Sequence, residues 1–294
     1  MNLLHATVLA AVLASPALAQ ETPPAAKGSA TAGAAGQDVF WAETWPKALE
    51  SAKKMRNGRI LVLLGEPDCG DCQRMEALIL PSTSFYSFMR DKVPVRLDWR
   101  EGDGKMLAER FGVPNVPAWL VVTPDLVVSG FQSGVINQQG WFETFTATER
   151  SWGAYLKMLA DEQADPSNSE VVFAVAQETF KRRGDSLAEP RFTRLSKDAR
   201  TPPALKDQSL AYLATIQLDS NRPNEAAKTL DTLLATSKDP KLLERAELSR
   251  AEVEIALGRK DVAAKKLEEF RAKHPASPLA KDAEELLKRL GGSL

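Results

Sequence analysis

The chain has 294 residues, with 38 basic and 39 acidic side chains and a formal net charge of −1. A balance this even gives no footing for nucleic acid or an anionic membrane as partner. The two cysteines have only His5, at the amino end, and His274, far along the chain, to complete the about four ligands of a closed zinc site, so no metal is expected.

Leu3 to Leu18 is apolar and ends in Ala17-Leu18-Ala19, a small-x-small pattern suited to signal peptidase. Residues 1–19 are therefore read as an export signal, which makes the protein periplasmic or extracellular, although the start carries no Lys or Arg. A membrane anchor is the alternative. The run is short beside the roughly 20 residues of a span, and Ser15 and Pro16 interrupt it, so no stable anchor is expected. Residues 20–37, rich in Ala, Gly, Pro, Ser and Thr, read as a flexible leader. The remaining length suits two domains, at 38–164 and 165–294.

Trp41, Trp45, Ala48, Leu49 and Ala52 recur at helical spacing and predict an amphipathic helix from Thr44 to Arg56, ending at Asn57-Gly58. Ile60 to Leu64 is a continuous apolar run, as in a strand buried on both faces. Gly65, Glu66, Pro67 and Asp68 break it, and Cys69-Gly70-Asp71-Cys72 follows. Gln73 to Leu80 then reads as a helix with Met75, Leu78 and Ile79 on its apolar side. Two thiols at this spacing in a first helical turn can close a disulfide with little backbone movement. The amide groups and positive dipole end there favour thiolate at Cys69. A structural staple is the bland alternative, but so small a loop removes little unfolded-state entropy. The spacing is better explained by redox chemistry.

Thr83 to Arg90 predicts a short helix with Phe85, Phe88 and Met89 inward, and Val93 to Asp98 a second strand. Gly104 to Phe111 predicts a helix with Met106, Leu107 and Phe111 on one face. Val116-Pro117 stands immediately before the next strand, and Leu126 to Phe131 forms another after the Thr123-Pro124-Asp125 turn. Gly140 to Leu159 is helical, with Trp141, Phe142, Phe145, Trp152, Tyr155 and Leu156 available to a core.

On the Cys69-Gly70-Asp71-Cys72 and Val116-Pro117 motifs, residues Val39 to Asp161 resemble the thioredoxin superfamily. The Trp-containing first helix and Met75 are similar to its secreted members. The resemblance implies an α/β domain with a central mixed sheet flanked by helices. It makes Cys69 the exposed nucleophile and Cys72 the more buried resolving thiol. It makes Pro117 a cis proline, beside which Val116 presents backbone to a substrate strand; an ordinary proline at a strand start is the alternative. It implies protein disulfides as substrates, an upstream reductase as electron source, and no organic cofactor. The chain departs from thioredoxin in three places. Leu63 stands where a buried acid helps to move protons, Asp68 replaces a Trp, and the inner pair is Gly-Asp.

Glu66, Asp68 and Asp71 surround Cys69 in sequence, with Arg74 the nearest cation. Acidic neighbours oppose thiolate formation, which predicts a comparatively reducing couple; carboxylates screened by water are the alternative. Introduction of disulfides is the disfavoured direction, given this rim and no helical insertion.

From Asp165 onward Ala, Leu, Lys and Glu at helical spacing take over. About seven helices follow: Val171–Arg183, Leu187–Lys197, Pro203–Leu218, Asn224–Thr236, Pro240–Leu257, Asp261–Lys273 and Ser277–Leu290. The stretch Asn221 to Leu230 aligns with Gly258 to Leu267 at an offset of 37 residues. With Ala226 and Ala263 at the helix crossing and Pro240 and Pro275 ending each unit, this resembles an all-α tetratricopeptide-like repeat. The first two helices match poorly. Such stacks offer a surface to a protein partner; a support for the redox domain is the alternative. His274 reads as an exposed helix-end residue. Together these features predict an exported thiol–disulfide oxidoreductase that reduces protein disulfides and binds a partner through its helical half. The alternative is a non-catalytic interaction scaffold with a structural or vestigial disulfide.

Overall fold

The computed structural model describes residues 40–291, so the segments read as an export signal and a leader, 1–19 and 20–37, lie outside the described residues. The apolar run from Ile60 to Leu64 has no polar side to turn to water, and β1 (Arg59–Gly65) is accordingly an inner strand. It runs parallel to β2 (Lys92–Asp98) and antiparallel to β3 (Ala118–Val122), and β4 (Val128–Ser133) pairs antiparallel with β3. The order is β2-β1-β3-β4. Alternation along β1 divides the core in two. Ile60, Val62 and Leu64 pack with α1 (Trp45–Lys54) and α4 (Gly102–Phe111). Leu61 and Leu63 pack on the other side with α2 (Gly70–Ile79), α3 (Thr83–Phe88) and the start of α5 (Gln138–Ala164). This is the expected mixed sheet flanked by helices.

Local chemistry sets the ends of these elements. Thr44 caps α1, its hydroxyl accepting from the Lys47 N–H at 3.4 Å. Gly112, at φ 62°, closes α4 in the left-handed conformation that glycine adopts without a Cβ clash. Several positions differ from the sequence reading. α1 stops at Lys54, and Trp41 lies ahead of it, packed on the α2 side of the sheet. Leu126 sits in the turn before β4 with φ 63°, so that strand starts at Val128. Leu78 and Met106 are exposed, because Met75 with Ile79, and Leu107 with Phe111, already define the inward stripes of their helices.

The amino ends of β1 and β2 carry a buried ionic cluster. Arg59 and Lys92 are partners in the strand register, and both are buried. Arg59 donates to Asp91, to Ser129 Oγ at 3.3 Å and to both Glu149 oxygens at 3.0 and 2.8 Å. Lys92 donates to Asp91 Oδ1 and the Phe88 carbonyl, each at 2.7 Å, and lies 3.2 Å from Glu149 Oε1. Two cations thus share two carboxylates.

The chain divides into two compact units, with the break between Lys157 and Met158 inside α5; Arg182–Gly184 groups with the first. The second unit holds seven helices after α5: α6 (Ser169–Lys181), α7 (Asp185–Lys197), α8 (Pro203–Asp219), α9 (Pro223–Thr236), α10 (Pro240–Ala256), α11 (Lys260–Lys273) and α12 (Leu279–Gly291). Each packs on the next, and α6, α8, α10 and α12 also touch in sequence, forming one layer of a helical-repeat stack. Ala188, Ala226 and Ala263 are fully buried, 38 and then 37 residues apart. Arg183, Asn221 and Gly258, at the same spacings, turn the chain with positive φ. The α6–α7 pair is therefore a regular member of the stack, despite its poor sequence match. His274 is half-buried, not exposed, and its Nε2 lies 2.9 Å from Glu247 Oε2.

Candidate active site

The two cysteines sit where the C-terminal end of β1 hands over to α2. Cys69 is the N-cap of α2, and Cys72 lies in its first turn. They form a disulfide with sulfurs 2.07 Å apart and Cα atoms 5.2 Å apart. Cys69 Sγ also accepts the Cys72 backbone N–H at 3.0 Å, which is the N-cap bond of the helix. A thiolate at Cys69 after reduction would inherit that donor and the positive end of the helix dipole.

Accessibility corrects one expectation. Cys69 and Cys72 are each 8% exposed, so the contrast between an open nucleophile and a covered partner is absent in the oxidised form. Cys72, rather than Cys69, lines a cavity of about 300 Å³. Gly65, Glu76, Arg96 and Pro117 line the same cavity. Gly65 matters because a Cβ there would lie 3.2 Å from Cys72 Sγ, tighter than ordinary contact. The Val116–Pro117 peptide is cis, as the sequence predicted, and Pro117 is buried while Val116 is half-buried. The expected acid position, Leu63, is buried and apolar.

The acidic rim is more nearly balanced than the sequence suggested. Asp71 pairs with Arg74 one turn along the helix. Glu66 lies 3.3 Å from Arg100 Nη1 and accepts from Trp99 Nε1 at 3.4 Å. Asp68 is exposed. Arg100 also binds both oxygens of Asp98, and this hydrogen-bonded pairing holds the Asp98 carboxyl below the usual carboxylate range. Arg96 donates to Glu76 Oε2 through Nε at 2.8 Å and Nη2 at 2.6 Å. Sequence reasoning missed Glu76, Arg96, Trp99 and Arg100, which no motif marks. The β1–β2 register that sets Leu63 beside Arg96 is seen only in the structure. Among the described residues, no cluster of three or more His, Cys, Asp or Glu side chains is placed to hold a metal ion, and no helix is long and apolar enough to cross a membrane.

Residues 40–124 match the thioredoxin-like family model. Among solved structures, a thioredoxin from Thermus thermophilus is similar at 18% identity and a TM-score of 0.33, covering 37% of this chain and 87% of its own. A DsbH oxidoreductase is similar at 17% identity and a TM-score of 0.32, covering 46% of this chain and 94% of its own. The search of curated proteins returned no match. With a mixed sheet, a Cys-x-x-Cys pair at the start of the helix after its inner strand and a cis proline lining the same cavity, residues 40–124 are a thioredoxin-like domain.

Proposed function

We propose that the protein is an exported thiol–disulfide oxidoreductase that reduces disulfides in other proteins. The single observation that carries this reading is the cavity shared by Cys72 and Pro117. It gives a redox-active sulfur a lined opening beside backbone that can pair with a substrate strand. In the reaction, Cys69 attacks a substrate disulfide, a mixed disulfide forms, and Cys72 resolves it. Val116 and Pro117 orient the substrate segment. An upstream dithiol reductase restores the reduced protein. The stacked pairs of the helical unit, proposed to be tetratricopeptide-like, offer a protein partner a surface built from α6, α8, α10 and α12.

Insulin reduction with dithiothreitol as terminal reductant tests the reading, together with a Cys72→Ser variant. A catalytic dithiol gives turnover in the native protein and a trapped insulin adduct through Cys69 in the variant. One observation favours the scaffold alternative: the equal burial of both cysteines suits a structural clip. A clip gives neither turnover nor adduct, and this outcome would replace the enzymatic reading.

A further inference from the structure

Resolution of a mixed disulfide needs a proton acceptor, because thiolate is the nucleophile and the resolving cysteine starts as a thiol. Leu63 cannot supply one, being apolar and buried. The strand beside it carries a different arrangement. Leu63 pairs in register with Arg96. Val93 and Val95 of β2 pack on the α1 side, so alternation turns Arg96 to the α2 side, where Leu63 also points. There the Arg96 guanidinium lies 3.6 Å from the centre of the Trp41 ring and donates two hydrogen bonds to Glu76 Oε2. Both bonds end on that one oxygen, and Oε1 has no hydrogen-bond partner among the described residues. Glu76 follows Cys72 by four residues on α2, so the two side chains leave the same helix face. They line one cavity of about 300 Å³, room for several waters at roughly 30 Å³ each.

We infer that Glu76 accepts the Cys72 thiol proton through cavity water during resolution, with Arg96 as the residue that positions its carboxylate. This rests on the oxidoreductase reading. The Cys69–Cys72 disulfide is first reduced to the dithiol by a small dithiol, which leaves as its own disulfide. The Cys69 thiolate then attacks one sulfur of the substrate disulfide. The Cys69–substrate bond forms, the substrate S–S bond breaks, and one substrate thiolate leaves. Cys72 passes its proton to Glu76 Oε1, and its sulfur attacks Cys69 Sγ. The protein disulfide forms, the mixed disulfide breaks, and the second substrate sulfur leaves as thiolate and takes up the proton held by Glu76. Two electrons move from dithiol to substrate. The protons shed by Cys69 and Cys72 end on the two substrate thiols.

The test is single-turnover reduction of insulin by the dithiothreitol-reduced full-length protein, with acid quenching to separate adduct formation from resolution. Glu76→Gln is expected to form the adduct at the native rate, which also shows that the variant is folded. Its resolution should be slower at pH 7 by about 10- to 100-fold, at the lower end of the usual general-base range. The deficit should shrink as pH rises towards about 8.5, where an ordinary thiol ionises unaided. Arg96→Gln keeps the carboxylate and should lose only a few-fold while retaining the native pH profile. Glu76→Asp should recover part of the rate. Native resolution by Glu76→Gln at every pH would overturn the inference. So would equal, pH-independent losses in Glu76→Gln and Arg96→Gln, which would make the pair a packing element. If Cys72→Ser traps no insulin, the oxidoreductase reading fails and takes this inference with it. If the trap forms and Glu76→Gln resolves normally, only the inference fails.

Discussion

The same two strands, β1 and β2, end in opposite kinds of electrostatic environment. At their amino ends Arg59 and Lys92 are buried against Asp91 and Glu149. At their carboxyl ends Arg96 and Arg100 stay largely in water, pairing with Glu76, Glu66 and Asp98 around a cavity that reaches Cys72. Charge taken out of water must be paired to be tolerated and then fixes geometry. Charge left at an open cavity contributes little to stability and remains free to act on a substrate or a thiol. One end of the sheet is thus built for architecture and the other for chemistry.

This contrast breaks if the two ends respond alike to substitution. The largest effect is expected at the open end. Cys69→Ser and Cys72→Ser should each reduce insulin turnover to the uncatalysed background, with only Cys72→Ser accumulating an adduct on non-reducing gels. Arg59→Leu should do the reverse. It strands Lys92 with two carboxylates that are themselves only partly covered, at 41% and 35% side-chain exposure. Water can therefore reach them, and the expected loss is about 2–3 kcal/mol, below the 3–5 typical of a fully buried pair. Urea unfolding measures it, and the rate of adduct formation by the folded fraction should not change.

Acidity separates the ends next. Burial alone would raise the Asp91 carboxyl, but hydrogen bonds from Lys92 and Arg59, with their charges, outweigh it and leave it below the usual range. A carboxyl depressed in the folded state contributes stability that is present above its unfolded pKa, about 3.9, and is lost as pH falls through the folded value. Lys92 is lowered chiefly by burial and then by the Arg59 charge. Its unfolded form holds the proton longer as pH rises, so the penalty for burying the charged amine is relieved across the alkaline window just below about 10.4 and stability rises there. Both groups make stability rise with pH, in separate windows. Asp91→Asn should flatten the acid limb of urea-unfolding free energy below about pH 4. An unchanged acid limb would remove Asp91 from the account.

The legible parts of the molecule were those written in adjacent residues. Ile60 to Leu64 announces an inner strand, Cys69 and Cys72 announce the first turn of α2, and Val116-Pro117 sits where a cis bond is found. What stayed hidden depends on pairing between distant segments. Glu76 and Arg96 are 20 residues apart and Glu66 and Trp99 are 33 apart, and only the β1–β2 register brings them together. In the helical unit the α6–α7 pair was read as two helices that match the repeat poorly, for a different reason. Phe192 stands where Leu230 and Leu267 serve the later pairs, and Arg183 turns the chain where they use Asn221 and Gly258. The shape repeats while the letters do not.

The smallest expected effect is the one that sharpens the picture of the open end. Arg100 lies beside Glu66 and Asp98 and within electrostatic reach of Asp68, so it offsets much of the negative charge near the dithiol. Arg100→Gln removes a cation without adding bulk. Thiolate character in the reduced protein then becomes less favourable, while the neutral disulfide is unaffected, and the couple moves in the reducing direction. Arg100 is exposed, so solvent screening keeps the change small. The fall in potential is read by equilibration against glutathione. It should vanish in about 1 M salt, where the Debye length is near 3 Å. Arg59→Leu should leave the potential unmoved at either salt concentration, because its charge is spent on Asp91 and Glu149 at the far end of the strand. A shift in Arg59→Leu as large as in Arg100→Gln would mean that the sheet transmits charge along its length and that the two ends are one system.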